Sequence, residues 1–101
     1  MKTLEDIKNS IAEFSDRKFG ANRPYTAPLH HLKKEVDEVI EKGEISEYAD
    51  CLLLLLDSFR KKYPETHTDW LIENCRVKIL VCENRDWCEP DENGVIEHVR
   101  N

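Results

Sequence analysis

The chain has 101 residues, 36% of them charged and 40% hydrophobic, with a formal net charge of −6 at pH 7. That length fits one domain, residues 1–101, with a modest core, and the balance is too apolar for a disordered chain. The acidic balance disfavours direct nucleic-acid binding, and the longest apolar run, Cys51 to Leu56, is far short of the roughly 20 residues of a membrane span.

The start, MKTLEDIKNS, lacks the apolar stretch of a secretory leader. A cytoplasmic location is therefore expected, with Cys51, Cys75, Cys82 and Cys88 reduced. No two of them form a Cys-x-x-Cys pair, so small buried side chains are expected rather than zinc ligands.

A first helix is expected over residues 3–17. Thr3 and Asp6 have the spacing of a capping box, and Leu4, Ile7, Ile11 and Phe14 recur at three and four to form one apolar stripe. Phe19, Gly20 and Pro24 end it, and GANRPYTAP reads as a loop. The second helix is expected over residues 28–42, with Pro28 in its first turn and Leu29, Leu32, Val36, Val39 and Ile40 on its apolar face. Gly43 stops it. The third helix starts between residues 44 and 46 and reaches Tyr63, before Pro64. The fourth runs over residues 68–85, with Thr68 as its N-cap and Asp69 in the favourable first turn. Pro90 and Asn93–Gly94 predict a turn or short hairpin in the tail.

Four helices with short links predict an all-α, antiparallel four-helix bundle. Leu52 to Leu56 are consecutive, so leucines point all round the third helix. A helix apolar all round is buried all round, which one small chain hardly achieves. Oligomerisation is expected to complete the fold.

The stretch EVDEVIEKGEISEYAD, residues 35–50, carries two acidic pairs at a spacing of three: Glu35 with Glu38, and Glu47 with Asp50. Residues three apart are neighbours on a helix face, and Gly43 lets the second helix turn back into the third. The pairs can then face each other. Four converging carboxylates would repel, and desolvation would raise their pKa values. A divalent cation removes both penalties, and Mg2+ or Mn2+ suits hard oxygen donors. The competing interpretation is a solvated acidic surface, supported by pairs such as Glu38–Lys42 and Asp57–Lys61. It would make the chain a non-catalytic, oligomeric helical interaction module with an acidic face.

At these residues the sequence resembles the MazG-like, all-α nucleoside triphosphate pyrophosphohydrolases, whose signature is ExxE, a short helical link, then ExxD. The fuller context, HHLKKEVDEVIEKGEISEYADCLLLLLDSFRK, together with KILVCENRDW and NGVIEHVR in the tail, is similar to the small dATP/dGTP pyrophosphohydrolase branch. Lys34 stands where many members carry a second acid. The resemblance implies Mg2+-dependent hydrolysis of dGTP and dATP between the α and β phosphates, with Mn2+ able to substitute and two or three ions per site. It implies metal ligation by Glu35, Glu38, Glu47 and Asp50, with Glu38 or Glu35 as the base that takes the water's proton. It also implies a homodimer or homotetramer, and a phage role in which dGMP feeds the synthesis of 2-aminoadenine nucleotides.

The substrate phosphates need cationic partners. Lys78 and Arg85 are candidates, with Asn84 donating a hydrogen bond. Arg100 and His98 are candidates to close over the nucleotide, and Trp87 to stack its base. His31, one turn from Glu35, is a candidate site residue. Asp57 reads equally as a further metal ligand, a partner of Lys78 or a surface charge. Trp70, Phe59 and Tyr48 read as core or interface residues.

Overall fold

The computed structural model describes residues 1–100. It contains four helices, α1 (Leu4–Phe19), α2 (Thr26–Lys42), α3 (Ile45–Lys62) and α4 (Thr68–Glu83), and no strand among the described residues. The all-α expectation is borne out. Two compact units divide the chain, one spanning Met1–Thr68 and the other running from Asp69 onward. No helix among the described residues is long and apolar enough to cross a membrane.

Each helix end has a local cause. Thr3 Oγ1 accepts from the Asp6 amide at 3.0 Å, and Asp6 Oδ2 accepts from the Thr3 amide at 3.2 Å, so the predicted capping box is formed. α1 extends past residue 17 to Phe19 because the chain stays helical until Gly20, whose φ of 93° takes it out of the helix. α2 begins at Thr26, ahead of the expected Pro28. Pro28 lies within the first turn, where its missing N–H costs no intrahelical bond. At Gly43 the backbone is left-handed, φ 64° and ψ 22°, a conformation that a side chain opposes. The two-residue link of Gly43 and Glu44 folds α2 back on α3.

α3 is the centre of the first unit, and both α1 and α2 pack against it. Leu56 is fully buried, while Leu53 and Leu54 are half-buried. Ile45, Tyr48, Leu52 and Leu55 recur at three and four along α3 and stay 87%, 61%, 43% and 47% exposed. The leucines do point all round the helix, and within the first unit this stripe is left exposed. Val36 and Ile40 were expected to face inward from α2, but they are exposed as well. The cysteines are also less buried than expected: Cys75 and Cys88 are exposed, Cys51 and Cys82 half-buried, and all four are free.

Polar anchors fix the ends of this unit. Lys8 is buried, and its Nζ lies 2.9 Å from Glu5 Oε1 and donates to the Thr66 carbonyl at 3.1 Å. Glu5 Oε1 also accepts from the Thr68 amide at 2.9 Å. α4 begins at Thr68, which is therefore its first helical residue and not the expected N-cap. Ser58 Oγ donates to the Tyr25 carbonyl at 2.7 Å, tying the start of α2 to α3.

Arg60 bridges α1 and α3. Its Nε donates to Asp57 Oδ1 at 2.8 Å and its Nη1 to Asp16 Oδ2 at 3.0 Å. Its Nη2 lies 2.7 Å from Asp57 Oδ1 and 2.8 Å from Asp16 Oδ1. The surface pair Asp57–Lys61 is not formed. Asp57 is buried and paired with Arg60, and Lys61 lies nearer Asp16.

These contacts set an acid limit to stability. The Arg60 hydrogen bonds hold the Asp16 carboxyl below its ordinary value. The Lys2 amide, then the Thr3 side chain and amide, do the same for Asp6. Burial pushes Glu5 up, but its bonds from Thr68 and Lys8 outweigh that and leave it lowered. A depressed folded-state pKa contributes stability above the unfolded value, which is lost as pH falls toward the folded value. The melting temperature is therefore expected to fall as the pH drops below about 4, near the free Asp and Glu values. Thermal unfolding followed by circular dichroism between pH 7 and 3 checks it, and an unchanged midpoint at pH 3 would contradict it.

In the second unit the tail doubles back as expected. The Cys88 amide donates to the Glu97 carbonyl and the Val99 amide to the Asp86 carbonyl, both at 2.8 Å, around an antiparallel bridge between Trp87 and His98. Asp91 Oδ1 accepts from the Asn93 and Val95 amides at 2.8 and 2.9 Å, closing a turn at Gly94.

Candidate active site

The α2–α3 hairpin gathers acidic side chains. Carboxylate oxygens of Glu35, Glu47 and Asp50 lie within 4.8 Å of one another. Their shared field reaches the neighbouring thiol: burial pushes Cys51 up, and Glu35, Asp50 and Glu47 add to the effect. Three hard oxygen donors this close match what a small divalent cation requires, and the crowded charge is what such an ion offsets.

Glu38 is placed differently. Its Oε2 lies 3.2 Å from Lys42 Nζ. The Lys42 ammonium is raised first by that hydrogen bond, then by the charges of Glu38, Glu47 and Glu35. The structure thus brings together Glu35, Glu47 and Asp50 of the four predicted carboxylates, with Glu38 one turn along α2 and turned to a lysine. His31 Nε2 lies 3.1 Å from Glu35 Oε1, so the histidine one turn back orients that carboxylate.

A cavity of about 580 Å3 opens beside these acids, between α1, α2 and α3. Glu35, His31 and Asp50 line it, and Phe14, Phe19, Leu53 and Leu54 supply apolar wall. Phe14 and Phe19 meet edge to face at 5.6 Å, and the Arg23 guanidinium lies over Phe19 at 5.3 Å. Ser15 and Asp57 also line the cavity, and both are buried. Sequence reasoning placed Phe14 in the core stripe of α1 and Phe19 at its end, and passed over Ser15 and Arg23. The available signal was Phe19–Gly20–Arg23 at the helix end, which lies near α2 only once the chain folds.

The remaining candidates lie in the second unit. Arg85 Nη1 is 3.5 Å from His98 Nδ1, and Trp87 and His98 meet edge to face with ring centroids 6.2 Å apart. Trp87 Nε1 donates to the Cys82 carbonyl at 3.0 Å, and Asn84 Nδ2 to the Leu80 carbonyl at 2.8 Å. Arg85, Trp87 and His98 form one group, Asn84 caps its own helix, and Lys78 and Arg100 are exposed.

Four helices with an acidic hairpin and an adjoining cavity place the chain among the all-α nucleoside triphosphate pyrophosphohydrolases. It belongs to the dATP/dGTP pyrophosphohydrolase family, whose model matches residues 7–101. A solved structure, the cyanophage S-2L MazG-like pyrophosphohydrolase bound to dGDP and three catalytic Mn2+ ions per active site, is similar with a TM-score of 0.75. The likeness covers 98% of this chain and 95% of that one at 22% identity, which establishes the shared fold. No curated protein sequence matches the chain.

Proposed function

We propose that this chain hydrolyses purine deoxynucleoside triphosphates, dGTP and dATP, between the α and β phosphates, releasing a monophosphate and pyrophosphate. The observation that carries the reading is the convergence of Glu35, Glu47 and Asp50 within 4.8 Å, in a chain of this family. These three residues are the proposed metal ligands, and Glu38 is the proposed fourth. Mg2+ is the proposed cofactor, with Mn2+ able to replace it and two or three ions per site. When bound, such ions neutralise phosphate charge and acidify a water molecule.

The protein's own groups do the rest. His31 lies 3.1 Å from Glu35, close enough to orient its carboxylate. Glu38 or Glu35 takes the water's proton; Glu38 has first to leave Lys42. Lys78 and Arg85 are the proposed cationic partners of the phosphates, with Asn84 as a further donor. Trp87, His98 and Arg100 remain proposed substrate-binding residues.

A homodimer or homotetramer is also proposed, supported by the uncovered stripe of Ile45, Tyr48, Leu52 and Leu55. In a phage, the proposed role is supply of dGMP toward 2-aminoadenine nucleotides. The direct test is pyrophosphate release from each of the four dNTPs with Mg2+ or Mn2+. Release from dGTP and dATP, stopped by a chelator, is expected; no release from any nucleotide with either ion sinks the reading.

A further inference from the structure

We propose a second ligand site in the first unit: a basic recess between the α1–α2 loop and the end of α3 that binds a diphosphate group without a metal. The group is either free pyrophosphate or the phosphate tail of a nucleotide. Arg23, Arg60, Lys61 and Lys62 line the recess, with Tyr25 and two prolines as apolar wall, and its volume is about 380 Å3. Every charged residue in that lining is cationic, in a chain whose formal net charge is −6. Lys61 lies eleven residues beyond Asp50 on α3, about 16 Å along the axis. The recess is therefore separate from the carboxylate cluster, and the proposal does not rest on the pyrophosphohydrolase reading.

The charges do not cancel inside the protein. Asp16 and Asp57 are the carboxylates paired with these cations, and both bind Arg60. Four cations against two carboxylates leave a surplus of two positive charges. Lys61 carries much of that surplus. Its side chain is 6% exposed, yet its ammonium is 3.9 Å from Asp16 Oδ1 and donates to the Ala21 carbonyl at 3.4 Å. An ammonium has three donors, and charge-assisted bonds run at about 2.7–2.9 Å. Burying a charge is costly unless it is paired and hydrogen-bonded. Lys61 is thus a nearly buried cation in the recess wall with donor capacity to spare.

Arg23 and Lys62 complete the set from the two sides. Their charged groups lie over the rings of Phe19 and Tyr25, at 5.3 and 4.9 Å. Such contacts are weaker than a charge-assisted hydrogen bond to phosphate, so an anion in the recess draws both side chains to it. Basic residues in the last turn of a helix offset its macrodipole. That accounts for the basic end of α3, but not for the burial of Lys61 or for Arg23 on the facing loop. The volume exceeds that of one phosphate and lies at the lower end of small-molecule sites. Three cations from two segments suit an anion with more than one phosphate group.

The test is a titration of the full chain with pyrophosphate in the presence of a chelator, which leaves the acidic hairpin without a metal to hold phosphate. Calorimetry is expected to show binding, and the amide resonances of Ala21, Tyr25, Lys61 and Lys62 are expected to shift. Lys61→Gln and Lys62→Gln are each expected to weaken binding by about tenfold or more, as loss of a hydrogen bond between charged groups predicts. Lys62 is outside the buried network, so its variant reads the site even where Lys61→Gln unfolds. Repeating the titration with dADP separates the sources: tighter binding than pyrophosphate at the same amides marks a nucleotide, and equal binding marks the free anion. No metal-free binding at millimolar pyrophosphate overturns the proposal. So does binding that Lys62→Gln leaves unchanged, or shifts confined to residues outside the recess. Metal-free binding here without hydrolysis of any dNTP would sink the catalytic reading alone, and hydrolysis without metal-free binding would sink this proposal alone.

Discussion

Asp50→Asn protein is expected to keep its helices and lose pyrophosphate release by roughly 10²–10³-fold, the scale for removing one group that stabilises transition-state charge. The amide would keep the shape of the side chain while removing the charge that makes a carboxylate a hard ligand. Without metal, the fold should not suffer, because one of three crowded charges is gone from the Glu35–Glu47–Asp50 cluster. The diagnostic is the rise in melting temperature on adding Mn2+. A ligand that binds only the folded state stabilises by about 2.7 kcal/mol at a hundredfold excess over Kd, and Asp50→Asn should lose that rise together with activity. Full activity in the variant would remove Asp50 from the site. Glu38→Gln then separates two roles. As a proton acceptor, Glu38 is dispensable for the Mn2+-induced rise and needed for kcat; as a ligand, it is needed for both.

The largest effect on stability is expected at Arg60. Its side chain is 13% exposed, and Asp57, which it neutralises, is 5% exposed. Burial lowers the Arg60 pKa, but its bonds to Asp16 and Asp57 outweigh that and raise it, so the guanidinium is fully charged. Arg60→Met leaves the Asp57 carboxylate buried with only Ser15 as a donor. Breaking a buried pair from one side costs about 3–5 kcal/mol, whereas replacing both charges with apolar groups is often near neutral. Urea unfolding should therefore show a large loss for Arg60→Met, much of it recovered in the Arg60→Met, Asp57→Leu double variant. Equal losses in both variants would mean that the packing of the arginine stem, not the buried charge, is what matters.

Features confined to one helix turn were legible in the sequence. The Thr3–Asp6 capping box, the stop at Gly43 and the hairpin of α2 on α3 follow from local chemistry. So did the acidic pairs, because a spacing of three fixes neighbours on one face. What no spacing fixes is the rotation of one helix against another. That rotation sets Glu35 beside Glu47 and Asp50, whereas the Glu38–Lys42 pair, four apart on α2, was expected from spacing and is formed. Helix rotation also turns Phe14 from a core residue into a cavity wall. Arg60 was illegible for the same reason: its partner Asp16 is 44 residues away, and a basic residue near a helix C-terminus needs no partner to be expected there.

The two-residue link at Gly43 has a consequence for how such a chain can change length. Inserted residues would lengthen the link and release the register it imposes, so that α3 could turn about its own axis against α2. Glu47 and Asp50 would swing away from Glu35, and the Ile45–Tyr48–Leu52–Leu55 stripe would swing with them. The link therefore acts as a phase lock: insertions and deletions tolerated elsewhere in the loops would here rotate the acidic face and the uncovered apolar face together.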